Sequence, residues 1–223
     1  MHDYRAMTLD RDRMLALSYV PPDPRRNRLQ ALWALDAALA AVLKGREPMI
    51  SRIKLAWWRE ALEALDHRPP PAEPVLQGLA AQVLPAGVTG AELAAMEAGW
   101  GLLLEPQLED EALDSYAASR GGALFQLSAR LLQSGATIDV ARAGEGWALV
   151  DLARRANDAD AAVALAAAAT RLDRRQRWPR RLRPLGMLAA LAARDVARGI
   201  GAWEAQGAPA RMLRMLRVAL TGR

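Results

Sequence analysis

Cysteine is absent from the 223 residues, histidine occurs twice and phenylalanine once. The missing cysteine excludes a disulfide framework, a thiolate metal site and a cysteine nucleophile together. His2 and His67 stand in the N-terminal stretch and in a proline-rich turn, so neither a histidine-centred triad nor a histidine metal site can be assembled. No glycine-rich phosphate loop and no dinucleotide fingerprint is present. The chain nowhere offers the ~18 uninterrupted apolar residues of a spanning helix. Its N-terminus, MHDYRAMTLDRDRM, carries acidic residues and no apolar h-region, which makes the cytoplasm the expected location.

What is present is helix-forming. Hydrophobic residues make up 52% of the chain, weighted toward Ala and Leu, with Arg the dominant charge. These are strong helix formers, few residues are β-branched, and no run alternates polar with apolar positions. An all-α protein forming a single domain over residues 1–223 is therefore expected. The formal net charge is +5, with the densest cluster in RLDRRQRWPRRLR, residues 171–183. Such a block suits a solvated face, an anionic lipid surface or an acidic protein. Nucleic acid is not an expected partner, because no stacking sheet, zinc finger or helix-turn-helix accompanies it.

Periodicity and breakers predict the helices. The first runs from Asp10, its N-cap, to about Tyr19, and VPPDPRRN stops it. The second runs from Pro24 or Arg25 to Gly45, where an αL cap is expected. The third covers about 47 to 65, with Ile50, Ile53, Trp57, Ala61 and Leu65 as its core face, broadened by Leu55, Trp58 and Leu62. These last two are expected to pair antiparallel. DHRPPPAEP, residues 66–74, is a stiff turn. Further helices are expected at about 75–84, 89–104, 108–134, 138–169, 184–204 and 208–221, some of them bent. Arg120-Gly121-Gly122 predicts a kink or a close backbone approach. The Ala-rich run at 159–169 leaves room for a neighbouring helix. In the last helix, Met212, Leu213, Met215, Leu216, Ala219 and Leu220 oppose Arg211, Arg214 and Arg217, a pattern for packing on the domain or for lying on an anionic membrane.

Acidic clusters offer little metal chemistry by this reading. Glu109, Asp110 and Glu111 stand at a helix start, where they complement the dipole. Asp158 and Asp160 are two apart and do not face one another on a helix.

The order DRDRMLALSYVPPDPRRNRLQALWALDAALAAV…RIKLAWWREALEAL, followed by EPVLQGLAA, LDSYAASRGGALFQLSARLL and GEGWALVDLARR, resembles the squalene/phytoene synthase family. WWREAL and the Tyr-containing helix with its glycine pair are the more specific pieces. The resemblance implies an all-α isoprenoid-synthase fold, a helical bundle around a central apolar cavity for prenyl chains. It also implies two DxxxD motifs on facing helices that bind Mg²⁺ and, through it, diphosphates. Carboxylates four apart share a helix face, and hard oxygen donors suit Mg²⁺ shared with phosphate.

In the register of that resemblance, Ala40 and Lys44 stand at the first motif's aspartates, Arg155 and Ala159 at the second's, and Asp151 at a neighbouring asparagine. The chain is accordingly similar to the branch that includes an assembly factor for mitochondrial respiratory complex I. The implied role is non-catalytic binding or assembly at the inner membrane surface, with a protein partner or a prenyl lipid and no cofactor. The alternative is a prenyltransferase working through displaced carboxylates with Mg²⁺, and a third reading is a prenyl-lipid carrier. Candidate cavity or ligand contacts are Ala40, Lys44, Trp57, Trp58, Tyr116, Phe125, Arg155 and Ala159, the two tryptophans being read either as core anchors or as cavity lining.

Overall fold

The computed structural model describes residues 9–45, 47–105, 110–135 and 137–223, and Glu109 of the acidic cluster lies outside them. Among the described residues there are helices and no strands. The chain divides into two compact units, Met1–Leu9 with Pro22–Arg120, and Asp10–Pro21 with Gly121–Arg223.

The first unit holds α2 (Pro24–Val42), α3 (Pro48–Ala64), α4 (Pro74–Gln82), α5 (Gly90–Leu102) and α6 (Asp110–Tyr116). Each start has a local cause. Pro is the first residue of α2, α3 and α4, where the missing N–H costs nothing. Thr89 and Glu92 form a reciprocal capping box on α5. Asp66, from the proline-rich turn, accepts the Gly90 and Ala91 N–H groups at 2.6 and 3.1 Å. These two N–H groups hold its carboxyl below the ordinary range.

The expected α2–α3 pairing is secondary. α3 packs chiefly on α5, and α2 chiefly on α4. α3 also turns most of its predicted face outward: Ile50, Ile53 and Trp57 are exposed along with Met49, Ala61 is half-buried and Leu65, just past the helix end, is buried, whereas Ser51, Leu55, Trp58 and Leu62 are all buried. Both stripes have helical spacing, and packing on α5 selects the one that periodicity treats as secondary. Gly45 does not take the αL conformation, and α2 instead ends in an αR residue, Leu43. The turn is closed by Ser51, whose hydroxyl donates to the Val42 carbonyl at 3.1 Å.

The second unit holds α1 (Arg11–Ser18), α7 (Ala123–Leu131), α8 (Val140–Ala153), α9 (Asp158–Ala169), α10 (Arg183–Arg198) and α11 (Pro209–Thr221). Asp10 caps α1 as expected, accepting the Arg13 N–H. The single helix expected over 138–169 is two, because Asn157 caps a new start by accepting the Ala159 and Asp160 N–H groups. Residues 117–122 form one π-helical turn between α6 and α7. This is where the sequence predicts a kink, and the predicted close approach is present as well. A Cβ on Gly121 would stand 2.2 Å from the Gly144 carbonyl oxygen, and one on Gly144 would stand 2.1 Å from that of Gly121. Two backbones thus meet where only hydrogen fits.

α11 departs from its helical-wheel reading. Arg211, Met215 and Val218 are buried, while Met212, Leu213, Leu216 and Leu220 are exposed. One arginine of the supposed solvent face is part of the core.

Candidate functional site

In the first unit, the π turn carries Arg120 into the core with no exposed surface. Its Nε and Nη2 donate to the two carboxylate oxygens of Asp36 at 3.0 and 3.2 Å, and Nη1 donates to the Tyr116 hydroxyl. The guanidinium lies 4.0 Å from the centroid of the Trp100 ring, and Trp100 meets Tyr116 edge-on at 6.3 Å. Gly99 makes room for this, since a Cβ there would come within 3.0 Å of the Arg120 nitrogen. A dry bidentate pair of this kind is geometrically specific, and each partner would be costly to leave alone. Asp36 stands one helical turn before Ala40, so the carboxylate nearest the first candidate position is already held by a cation.

Of the candidate positions, Ala40 and Lys44 belong to the first unit and Arg155 and Ala159 to the second. Ala40 is half-buried on α2, while Lys44 lies exposed in the turn beyond its end. Arg155 follows the end of α8 and donates to Asp151 at 2.9 Å, whereas Ala159 begins α9. Positions 155 and 159 therefore belong to different elements and do not share a helix face. Methyl and cationic side chains at these four positions, with Asp36 paired, do not fit Mg²⁺, which requires free oxygen donors. Among the described residues, no three His, Asp or Glu side chains gather as a metal site.

Trp58 is buried in the first unit, and Trp57 is 45% exposed, touching Trp58 edge-on at 5.3 Å. Trp57 lines a surface groove of about 310 Å³ with Ala61, Leu65, Pro69 and Pro71. Tyr116 is fully buried in the first unit. Phe125 is fully buried in the second, against Trp147 at 5.7 Å.

Three features escape the sequence reading. The first is the Asp36–Arg120–Tyr116 cluster, for which DAALAAV and RGG gave only spacing. The second is a carboxylate pair at i, i+4, Asp110 and Asp114, exposed on α6 and visible in DEALD. The third is a network in the second unit. There Arg211 Nη1 donates to Asp195 at 2.7 Å and Nε to Asp12 at 2.9 Å, and Arg154 Nη1 donates to Asp195 at 3.0 Å. Burial lowers the Arg211 pKa, but the hydrogen bonds it donates to Asp195 and Asp12, with their negative charges, outweigh this and hold the guanidinium above its ordinary value. A cavity of about 30 Å³, lined by Asp151, Arg154 and Arg211 among others, adjoins the network.

Comparison with curated proteins and with solved structures returned no match. The family model for squalene/phytoene synthase matches residues 7–164, spanning α1 to α8 and the start of α9 with the WWREAL helix and the Tyr116 helix. With the all-helical architecture, this match places the chain in the squalene/phytoene synthase family.

Proposed function

We propose that this family member does not condense prenyl diphosphates and acts instead as a binding or assembly factor at a membrane surface. The observation that carries the reading is the ion pair of Asp36 with Arg120, together with Ala40, Lys44, Arg155 and Ala159 at the positions the resemblance assigns to metal-binding aspartates. Departure of a diphosphate needs its developing charge neutralised, and these side chains cannot gather divalent ions to do so. Lys44 and Arg155 would grip an anion and support binding rather than turnover. Two exposed apolar stripes support an interaction role: Met49, Ile50, Ile53 and Trp57 on α3, and Met212, Leu213, Leu216 and Leu220 on α11. Among the described residues no helix is long and apolar enough to cross a membrane, so contact with one would be at its surface.

Incubation with Mg²⁺ and farnesyl or geranylgeranyl diphosphate tests the reading. No release of diphosphate above the protein-free rate is expected, and metal-dependent release would overturn it. One observation favours the second reading, a prenyltransferase using displaced carboxylates: Asp110 and Asp114 have the i, i+4 spacing that Mg²⁺ sites of this kind use. In that case D110A/D114A would abolish the release.

A further inference from the structure

On the second unit a pocket of about 300 Å³ opens between the N-terminal end of α8, the segment 170–178, α10 and α11. Five arginines line it: Arg142, Arg171, Arg174, Arg214 and Arg223. Of these, Arg171 is paired with Glu145 at 3.1 Å. The two acidic side chains in the lining are otherwise engaged. Asp139 accepts the Arg142 N–H as the cap of α8, and Asp173 accepts the Arg175 N–H in a tight turn. Arg214 has no acidic partner among the described residues. Burial first, and then the positive charges of Arg217, Arg194 and Arg174, hold its guanidinium below its ordinary pKa. The wall is apolar where Trp178, Ala193 and Val218 reach it.

We propose that this pocket binds a small phosphorylated compound, its phosphate taken by Arg174 and Arg214 and its apolar body resting on Trp178, Ala193 and Val218. Several guanidiniums facing one small volume, with the local carboxylates committed elsewhere, are best compensated by a multivalent anion, and guanidinium geometry suits phosphate. The volume falls at the lower end of small-molecule sites. The inference goes beyond the function proposed above and does not depend on it. The pocket lies at the N-terminal end of α8, about 18 Å of helix from Asp151 at the other end. A soluble compound fits better than a lipid headgroup. Met212, Leu213, Leu216 and Leu220 lie roughly 100–160° around α11 from Arg214, so a bilayer engaging the apolar stripe would not face the pocket.

Calorimetric titration of the full chain with phenyl phosphate and with inorganic pyrophosphate tests this, with phosphatidylglycerol vesicles as a separate arm. Saturable binding is expected for at least one soluble probe. R214A and R174A should each weaken it at least about tenfold, and K54A, an exposed cation that does not line the pocket, should leave it unchanged. R214Q and R223A provide independent variants should R214A fail to show a native melting transition. Binding confined to vesicles and lost in R214A would assign the phosphate to a lipid headgroup. The proposal is overturned by the absence of saturable binding in every arm, by undiminished binding in R214A and R214Q, or by an equal loss in K54A, which would mark diffuse electrostatic attraction.

Discussion

Arg120 in the first unit and Arg211 in the second are both withdrawn from water against aspartates, and they differ in the kind of contact that holds them. Arg120 grips the two oxygens of Asp36, both groups fully buried, beside the Tyr116 hydroxyl and the Trp100 face. Arg211 has two carboxylates, Asp12 on α1 and Asp195 on α10, and each has a second donor. Asp195 also receives Arg154, and Asp12 also receives the Gly207 N–H at 2.9 Å. The first arrangement is a bidentate pair with no exposure to water, so losing one member removes a two-point charge contact from the core. The second is a mesh that ties three helices together and retains partial compensation when one strand is cut.

The comparison breaks most sharply at Arg120. R120M removes the bidentate guanidinium from the buried Asp36 carboxylate, an expected loss of about 3–5 kcal/mol. At roughly 2–4 °C per kcal/mol for a chain of this size, a fall in Tm of about 6–20 °C should appear in a thermal melt. D36L/R120M, which removes both charges, should be more stable than R120M, since apolar replacement of a buried pair is often neutral or better. If the double variant is no better than the single, the pair is not the source of the loss.

R211M should cost less, about 2–3 kcal/mol, because Arg154 and the Gly207 N–H remain on the two aspartates. Urea midpoints of R120M and R211M measured side by side would show the difference, and an equal loss would remove the distinction between pair and mesh.

The smallest effect lies at the rim of the mesh. Arg194 donates to both oxygens of Glu204 at 2.9 and 2.8 Å, and this hydrogen bonding, opposed by burial and aided by the Arg194, Arg198 and Arg211 charges, pulls the Glu204 carboxyl down to about 2. Because the folded value lies below the ordinary 4.5, the stabilisation is complete above about pH 4.5 and is lost as pH falls toward 2. Parent and E204Q should therefore differ most in urea midpoint at pH 6 and converge by pH 2. A gap that stays constant over this range would place the stabilisation outside the Arg194–Glu204 pair.

Much of the helical architecture was legible in the chain. Asp10 and Pro24 mark helix starts within a residue of where they occur, the helix expected from about 75 begins at Pro74, and the RGG kink and its close approach were readable because glycine pairs inside a helical pattern have few other uses. The faces of the helices were less legible. α3 and α11 each carry more than one apolar stripe, and a wheel ranks stripes by hydrophobicity without knowing which neighbour will cover them. The site was legible in part: Tyr116 could be singled out from the family pattern, but its partnership with Arg120 and Asp36 joins residues 84 positions apart. The i, i+4 spacing of Asp110 and Asp114 stands in DEALD, but only Asp110 of the two enters the dipole reading of that helix start. The break at 154–157 was hidden because Asn157 acts as a cap only if its side chain turns back on the following N–H groups.

By itself the sequence determined an all-α chain, the family, and the absence of cysteine and of any histidine cluster, since these follow from composition, short-range periodicity and motif order. Tertiary structure alone decided that Arg120 and Arg211 lie inside, that Trp57 faces outward while Trp58 does not, and that arginines distant in the chain share one pocket. The physical reason is range. Helix propensity and capping act over a few residues, whereas the choice of buried face and the pairing of a buried charge depend on desolvation by segments far away in the chain.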